Sequence, residues 1–303
     1  MKSHSTRSFF VMFTSFIAFS CGFVLFGCDN DRNTDAICKN NPELCEDLHR
    51  DSWCRYEKGD LIRQRFILKS TPEPSGKQIY DQLRFLEVYS KCIELAAGVQ
   101  HKVNVSRTND RMRAFGISVQ NLEELQESTK GATDPHLAYY HWSRFNDAKA
   151  LDVLLKAEAD GQVDDPELLS KLAIYYLKTD AARARTLYLD VLAHTDAAHS
   201  DPDWLLGLAT ASRNLHDLES SYLYSRANVF LTGQAVNEAQ MHALVKGDKQ
   251  LIAMLDEQAQ ALADAIKSGN FAGSSIEKTL RAKAAPAAAK SAPEHEIPAP
   301  DGQ

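Results

Sequence analysis

The sequence lacks the short motifs that place catalytic groups in the common enzyme families. It contains no G-x-x-x-x-G-K-[ST] phosphate loop, no G-x-G-x-x-G turn, no H-E-x-x-H metal-binding helix and no G-x-S-x-G nucleophile turn. The C-x-x-C spacing of redox-active dithiols is missing as well. We therefore predict that the chain is not an enzyme and that it uses no cofactor or metal.

Positive charge is also scarce. The 34 lysine and arginine residues are outnumbered by 41 aspartate and glutamate residues, which gives a formal net charge of −7. Loss of residues 1–27 would remove Lys2 and Arg7 but no acidic residue, and would bring the charge to −9. An acidic surface argues against binding nucleic acid or anionic lipid by charge, so we predict no nucleic-acid partner.

The N-terminus has the order of a secretory signal. Lys2 and Arg7 precede an uncharged run over residues 9–27, which ends in small residues before a cysteine. Residues 25–28, Leu-Phe-Gly-Cys, resemble the lipobox of bacterial lipoproteins, although Phe26 replaces the smaller residue usual at that position. The run is also close to the roughly 20 residues of a membrane-spanning helix. An uncleaved anchor and an ordinary cleaved signal are therefore the alternatives to lipidation at Cys28.

Lipidation predicts where the mature chain resides. Two or more acyl chains hold a protein stably on a membrane. We therefore expect residues 1–27 to be a signal peptide and the mature chain to face the periplasm of the bacterial cell envelope. By resemblance to enterobacterial lipoproteins, Asp29 directly after Cys28 favours retention in the inner membrane.

Four cysteines remain in the mature region besides Cys28, and in an oxidising compartment an even number predicts two disulfides. They are Cys38, Cys45, Cys54 and Cys92. Three connectivities are possible, of which we favour Cys38 with Cys45 and Cys54 with Cys92. A zinc site that includes His49 is the alternative, but zinc ligands usually come in pairs two to four residues apart, which is not the spacing here.

Apolar periodicity predicts helices through the rest of the chain. After a tether and cysteine-rich segment (28–76), the spacing predicts a helical pair within residues 77–130. The periodic runs of this pair span Lys77 to Gly98 and Asn109 to Gln126. A further helical pattern at 233–280 would cap what precedes it. The alanine- and proline-rich residues 281–303 contain too little large apolar surface to fold alone, which predicts a disordered tail.

Residues 134–232 repeat. Asp-Pro pairs at Asp134, Asp165 and Asp201 each open a helical pattern, since aspartate caps free amide groups and proline suits the first turn. Small, large and small residues then recur at steps of four and three. These triplets are Ala150, Leu154, Ala157; Ala184, Tyr188, Val191; and Ser220, Tyr224, Ala227. The arrangement resembles tetratricopeptide repeats, without the glycine usual early in the first helix. The fold prediction is all-α: a helical-hairpin, tetratricopeptide-like array with a disulfide-braced N-terminal helical segment.

Three local clusters are candidate sites. An aromatic cluster could bind a glycan or peptide, although helical spacing favours packing; it comprises Tyr139, Tyr140, His141, Trp142 and Phe145. Asp60, Arg63 and Arg65 could form a partner patch, but intramolecular ion pairs are the simpler interpretation. His194 and His199 near a repeat boundary lack a carboxylate at a suggestive spacing, and we interpret them as loop residues.

The mature region as a whole resembles a proteobacterial family of proteins of unknown function, the domain of unknown function 2989 family. The resemblance rests on four segments: NTDAICKNNPELCEDL at residues 33–48, WCR at 53–55, DLIRQRF at 60–66 and YSKCIELA at 89–96. It implies a lipoprotein and supplies no activity or catalytic residue.

We expect a membrane-tethered scaffold that binds another envelope protein or a peptide, since repeat arrays present extended surfaces. A small-ligand or glycan binder, or an unrecognised enzyme, is the first alternative. A structural spacer is the second.

Overall fold

The structure is a computed structural model, and it describes residues 33–291, with side chains to residue 285. The expected signal peptide (1–27), the lipidation site Cys28 and the sorting residue Asp29 lie outside the described residues, as do residues 292–303.

The all-α prediction is confirmed, because the described part of the chain contains helices and no strand. Neighbouring helices pack in pairs, as expected for a helical-hairpin array. A single 3-10 helix, Pro42–Leu44, lies between α1 and α2. The α-helices are α1 Thr34–Asn40, α2 Arg55–Ser70, α3 Gly76–Ala97, α4 Val105–Thr129, α5 Pro135–Phe145, α6 Ala148–Ala159, α7 Pro166–Thr179, α8 Ala181–His194, α9 Asp203–Asn214, α10 Leu218–Thr232, α11 Glu238–Ala243, α12 Lys249–Lys267 and α13 Ser275–Ser291. None of these helices has an apolar stretch long enough to cross a bilayer.

The described chain forms two compact units whose boundaries differ from the expected division at residue 76. The first unit comprises residues 33–73 and 84–122, and the second comprises residues 74–83 and 123–291. The cysteine-rich segment and most of the helical pair thus share one core. Helices α3 and α4 each contribute residues to both units, so the chain changes unit inside a helix rather than in a linker.

The core of the first unit joins the cysteine-rich segment to α3 and α4. Ile37, Leu61, Tyr89 and Ile93 are buried together in it. Both favoured disulfides are present: Cys38 with Cys45, and Cys54 with Cys92. The second bond ties the residue that precedes α2 to the C-terminal third of α3.

The second unit contains the three hairpins α5/α6, α7/α8 and α9/α10. Every residue of the three small-large-small triplets is buried in the described structure, with Leu154 and Ala184 fully inaccessible. The Asp-Pro prediction holds for α5 and α7, where Asp134 and Asp165 accept hydrogen bonds from the first amides. At α9 the start is shifted by one residue. There Asp201 accepts from the amide of Asp203, and the helix begins at that residue.

Helices α11, α12 and α13 pack against the same core as the three hairpins. The predicted helical pattern at residues 233–280 is interrupted at Gly247, which adopts a left-handed φ of 69° between α11 and α12. Helix α13 continues to Ser291, so the expected start of the tail at residue 281 falls inside a helix. Alanine is the best helix former, and Arg281 pairs with Asp190 of α8, which orders this stretch despite its composition.

Candidate binding surface on the repeat array

A groove of about 480 Å³ runs along the outer faces of α5 and α7. Both helices turn their buried leucines toward the core, which leaves a second stripe of side chains facing the solvent. Ile174 in the middle of α7 is 53% exposed although it is aliphatic. Nine residues line the groove: Tyr139, Trp142, Ser143, Arg144, Asn146, Lys171, Ile174, Tyr175 and Lys178.

Aromatic rings make a continuous wall along this groove. The Trp142 ring meets Tyr175 edge-on at a centroid distance of 5.4 Å and meets Tyr139 at 6.0 Å. Tyr80, from the start of α3, continues the row against Tyr139 at 6.2 Å. Edge-to-face contacts of this kind stabilise both rings and hold their orientation. The wall is therefore preorganised, with apolar ring surface left open to the groove.

The charge of the groove is opposite to that of the chain. Arg144, Lys171 and Lys178 line it, and none of its lining residues is acidic. No described carboxylate forms an ion pair with either lysine. Arg144 lies 5.7 Å from the centre of the Tyr140 ring. On a chain with a formal charge of −7, this local excess of cations attracts a negatively charged segment.

A second cavity of about 570 Å³ adjoins the groove, and Lys171 lines both. It lies among the start of α7, the end of α8 and the start of α9. Its walls are more acidic, with Asp165, Glu167, Asp196 and Asp201 among the lining residues, and Trp204 adds an aromatic surface. Together the two cavities form a strip that is basic and aromatic at α5/α7 and acidic toward α9.

A charged link joins the starts of α5 and α7 beside this strip. His136 Nε2 lies 2.9 Å from the Asp165 carboxylate, and its Nδ1 lies 3.6 Å from Asp134. Burial lowers the pKa of His136, but hydrogen bonds and charge attraction to these two caps outweigh it and raise the pKa to about 9. Lys77 lies 3.9 Å from Asp165. The imidazolium therefore ties two repeats together at neutral pH.

The most heavily cross-linked stretch of the first unit is residues 44–54, which have little regular structure. Arginine and lysine side chains donate hydrogen bonds to carboxylate and carbonyl oxygens of this stretch. Arg65 makes two bonds of 2.7 Å to Asp47, Arg111 pairs with Asp51 at 2.8 Å, and Lys58 donates to the carbonyls of His49 and Asp51. These bonds supply the partners that a helix or sheet would otherwise provide.

His49 is the buried centre of this stretch, with 2% of its surface exposed. Its Nε2 lies 2.6 Å from the Trp53 carbonyl, which can only accept, so Nε2 carries the proton. Its Nδ1 then accepts from the Tyr89 hydroxyl at 3.0 Å. Burial lowers the His49 pKa and keeps the ring neutral. Both nitrogens thus have partners, and the role of His49 is structural.

In this arrangement Cys54 and Cys92 cannot serve as ligands of the alternative zinc site. Ligand atoms of Cys54, Glu57 and Cys92 lie within 4.8 Å of one another. However, both sulfurs belong to one disulfide and provide no thiolate.

The structure separates the predicted aromatic cluster into two groups. Tyr140 and His141 are buried, which agrees with packing, and His141 Nε2 lies 3.0 Å from the Thr129 hydroxyl. Tyr139 and Trp142 face the groove, while Phe145 is 54% exposed and lines a separate cavity of about 370 Å³.

The other candidate residues take part in local contacts. The interpretation of Arg63 and Arg65 as ion-pair partners is confirmed, with Asp60 and Asp47 respectively. His194 and His199 line the acidic cavity. The loop interpretation is wrong for His194, which is the last residue of α8 and bonds to the Asp190 carbonyl. His199 lies outside the helices, but it does have a nearby carboxylate, since its Nδ1 lies 2.7 Å from Asp196.

Sequence reasoning missed Ile174 and Lys178 as surface residues and His136 as a link between repeats. The spacing of three and four residues among Lys171, Ile174 and Lys178 was the available signal, since it places them on one helix face.

The sequence profile of a family described as "Protein of unknown function (DUF2989)" matches residues 25–226. No curated protein and no solved structure matches the chain.

Proposed function

Because the chain belongs to the family described as Protein of unknown function (DUF2989), we propose a function from its own geometry. The protein is a lipid-anchored scaffold of the bacterial envelope, and the groove on α5 and α7 binds a segment of another envelope protein. The segment is extended, and it carries acidic side chains next to an apolar or aromatic residue.

The observation that carries this proposal is the joint presence, in one groove, of exposed apolar surface and of two lysines, Lys171 and Lys178, that pair with no carboxylate among the described residues. Ile174 and the faces of Trp142 and Tyr175 offer the apolar contact. Lys171 and Lys178 flank Ile174 along the same face and can pair with carboxylates. Tryptophan, tyrosine and arginine side chains dominate the energy of protein interfaces, and Trp142, Tyr175 and Arg144 all line the groove.

The size of the groove agrees with a peptide segment rather than a large folded surface. Its volume of about 480 Å³ falls in the range of pockets that hold drug-sized ligands, which is comparable to the bulk of a few side chains. The adjoining acidic cavity at Asp196 and Asp201 would orient a bound segment, because the basic residues of that segment would lie toward α9.

Crosslinking in intact cells tests the proposal. A photoreactive amino acid replaces Ile174, which leaves both lysines in place, and crosslinked species are identified by mass spectrometry. The matched control replaces Lys156, which is exposed on α6 outside the groove. We expect one recurrent envelope protein at position 174 and none at 156. Identical background at both positions would overturn the proposal.

A charge reversal provides the second readout. Lys171→Glu together with Lys178→Glu should abolish the recurrent crosslink at position 174, because the groove would then repel an acidic segment. Lys149→Glu together with Lys156→Glu on α6 makes the same change in net charge and should leave the crosslink intact. Loss of the crosslink in both pairs would point to a general charge effect.

A further inference from the structure

The turn between α3 and α4 and the adjoining parts of both helices expose several large apolar side chains. Val103 is fully exposed, and Val105 and Val99 are 59% and 40% exposed. On the adjoining helices Leu95 is 70% exposed and Met112 is 58% exposed. Several large apolar side chains exposed within one short stretch of surface indicate an interaction site. We call these five residues the valine tip.

The valine tip is held in place by hydrogen bonds. The His101 amide donates to the Thr108 hydroxyl at 3.0 Å, and that hydroxyl lies 3.4 Å from the Val99 carbonyl. Ser106 donates to the Asn104 side chain at 2.6 Å. The first two contacts join the end of α3 to the start of α4, so the turn presents its valines outward.

The charge around the valine tip is positive. Residues 95–109 contain Lys102 and Arg107 and no aspartate or glutamate. The described first unit, residues 33–73 and 84–122, has 13 lysines and arginines against 11 aspartates and glutamates, a net charge of +2. The negative charge of the whole chain therefore lies outside this unit and does not prevent the tip from approaching an anionic surface.

Charged residues connect the start of the described chain with the base of the valine tip. Lys58 donates to the Asp51 carbonyl at 2.9 Å, and the Asp51 carboxylate lies 3.5 Å from Arg107, at the base of the tip. Asp35, in the first turn of α1, is close enough to Lys58 to act on its pKa. Asp35, Lys58, Asp51 and Arg107 thus form a series of charged residues that leads from the first turn of α1 to the base of the tip.

The proposed lipid anchor at Cys28 would hold the start of α1 close to a membrane. Four residues lie between Cys28 and Asn33, and the five residue steps from Cys28 to Asn33 span at most about 18 Å when fully extended. An acylated Cys28 would therefore keep the start of α1 within about that distance of the lipid surface.

We propose that the valine tip inserts into the bilayer that holds the lipid anchor, with an anionic phospholipid surface as its ligand. The valine side chains enter the boundary between headgroups and acyl chains, while Lys102 and Arg107 meet lipid phosphates. The contact gives the protein a second point of attachment and fixes the orientation of the first unit on the membrane. This inference rests on the lipid anchor of the proposed function.

Photocrosslinking of the full-length protein in its native membrane tests the inference. A photoreactive amino acid replaces Val103, and peptide masses are searched for phospholipid adducts. The matched control replaces Ile67, an aliphatic residue that is 44% exposed on α2 in the same unit, nine residues after Lys58. We expect at least about fivefold more lipid adduct at position 103, because only that side chain would reach the acyl boundary.

Acyl labelling of Cys28 in the same cells separates failure of the inference from failure of the anchor. With acylation present, equal adduct yields at positions 103 and 67 overturn the valine tip and leave the anchor standing. With acylation absent, the two photoreactive variants are mixed with vesicles of phosphatidylethanolamine and phosphatidylglycerol. A lipid adduct at position 103 would then support insertion of the valine tip but not the lipid anchor. Absence of the adduct would overturn both proposals.

Discussion

At the scale of single residues, Gly207 of α9 lies directly against the ring of Tyr188 in α8. A Cβ atom built on Gly207 would lie 2.3 Å from Cζ of Tyr188, a distance at which atoms overlap. The Tyr188 ring is 97% buried, since only 3% of its surface is exposed, and it has little space to move. The missing side chain of the glycine therefore makes room for the large member of the second triplet.

Gly207→Ala should lower the free energy of unfolding by about 1–3 kcal/mol, as overpacking does, although alanine is the better helix former. The control is Gly116→Ala in α4, where no atom lies within 4 Å of the added Cβ. That change should raise stability by about 1 kcal/mol. Denaturant unfolding of both variants measures the difference, and equal effects would contradict the close contact.

His136 makes a pH-dependent contribution. Its folded pKa of about 9 lies above the ordinary value of about 6.5 in an unfolded chain. The stabilisation is therefore complete below pH 6.5 and is lost as the pH rises through 9. The groups that face the ring are the carboxylates of Asp134 and Asp165, with Lys77 beyond the second.

We expect the wild-type protein to lose at most about 3 kcal/mol more stability between pH 6 and pH 9.5 than the His136→Gln variant. Glutamine keeps a polar side chain but cannot become charged. Urea unfolding at the two pH values provides the measurement. Parallel pH profiles for the two proteins would show that the histidine does not carry its charge in the link.

At the scale of elements, each hairpin is completed by a large side chain from its second helix. Tyr224 of α10 is 1% exposed and belongs to the same core as Tyr188 and Leu154. The three occupy equivalent places in successive triplets. The packing of neighbouring hairpins is thus continuous through the array, as in other stacks of helical repeats.

Tyr224→Ala should destabilise the protein by roughly 3–5 kcal/mol, the usual cost of removing a large buried aromatic side chain. Tyr56→Ala is the matched control, because Tyr56 is 73% exposed and its loss should change stability by less than about 0.5 kcal/mol. Thermal unfolding followed by circular dichroism compares the variants. Full stability of the Tyr224 variant would argue against continuous packing.

The hairpins could be predicted from sequence because capping and packing residues recur locally. Asp134 and Asp165 mark helix starts through bonds to amides two or three residues away, and the triplets repeat within single helices. The link between His136 and Asp165 could not be predicted, since it joins residues 29 positions apart. The extent of α13 was also missed, because its order depends on Arg281 reaching Asp190, 91 positions earlier in the chain.

The groove was only partly predictable for a related reason. Periodicity identifies the buried face of a helix, and Tyr139 and Trp142 stood out by composition. It does not show which solvent-facing side chains on α5 and α7 meet. Ile174 and Lys178 acquire their significance only when the Trp142 ring is placed against Tyr175.

At the scale of the whole molecule, the two disulfides should contribute unequally. The bond between Cys54 and Cys92 closes 38 residues of chain, whereas that between Cys38 and Cys45 closes seven. The longer closure removes more freedom from the unfolded chain, which corresponds to about 4 kcal/mol against about 2 kcal/mol in the chain-entropy treatment.

The double variant Cys54→Ser with Cys92→Ser should therefore lose more stability than Cys38→Ser with Cys45→Ser. Hydrogen exchange with mass spectrometry locates the loss, which we expect in residues 33–73 and 84–122, where the bond lies. Residues 134–232 serve as the internal control in the same sample. Equal loss of protection in both disulfide variants would contradict the dependence on closure length.

The division of α3 and α4 between the two units limits how the protein can be dissected. Going from residue 33 to residue 291, the chain passes from one unit to the other three times, after residues 73, 83 and 122. Two of these passages occur inside a helix. A fragment ending at residue 122 retains Tyr80 without the rings of Tyr139 and Tyr140 that it contacts. No single cut therefore yields two intact halves, and a gene segment encoding either unit alone cannot be exchanged or inherited as one uninterrupted piece.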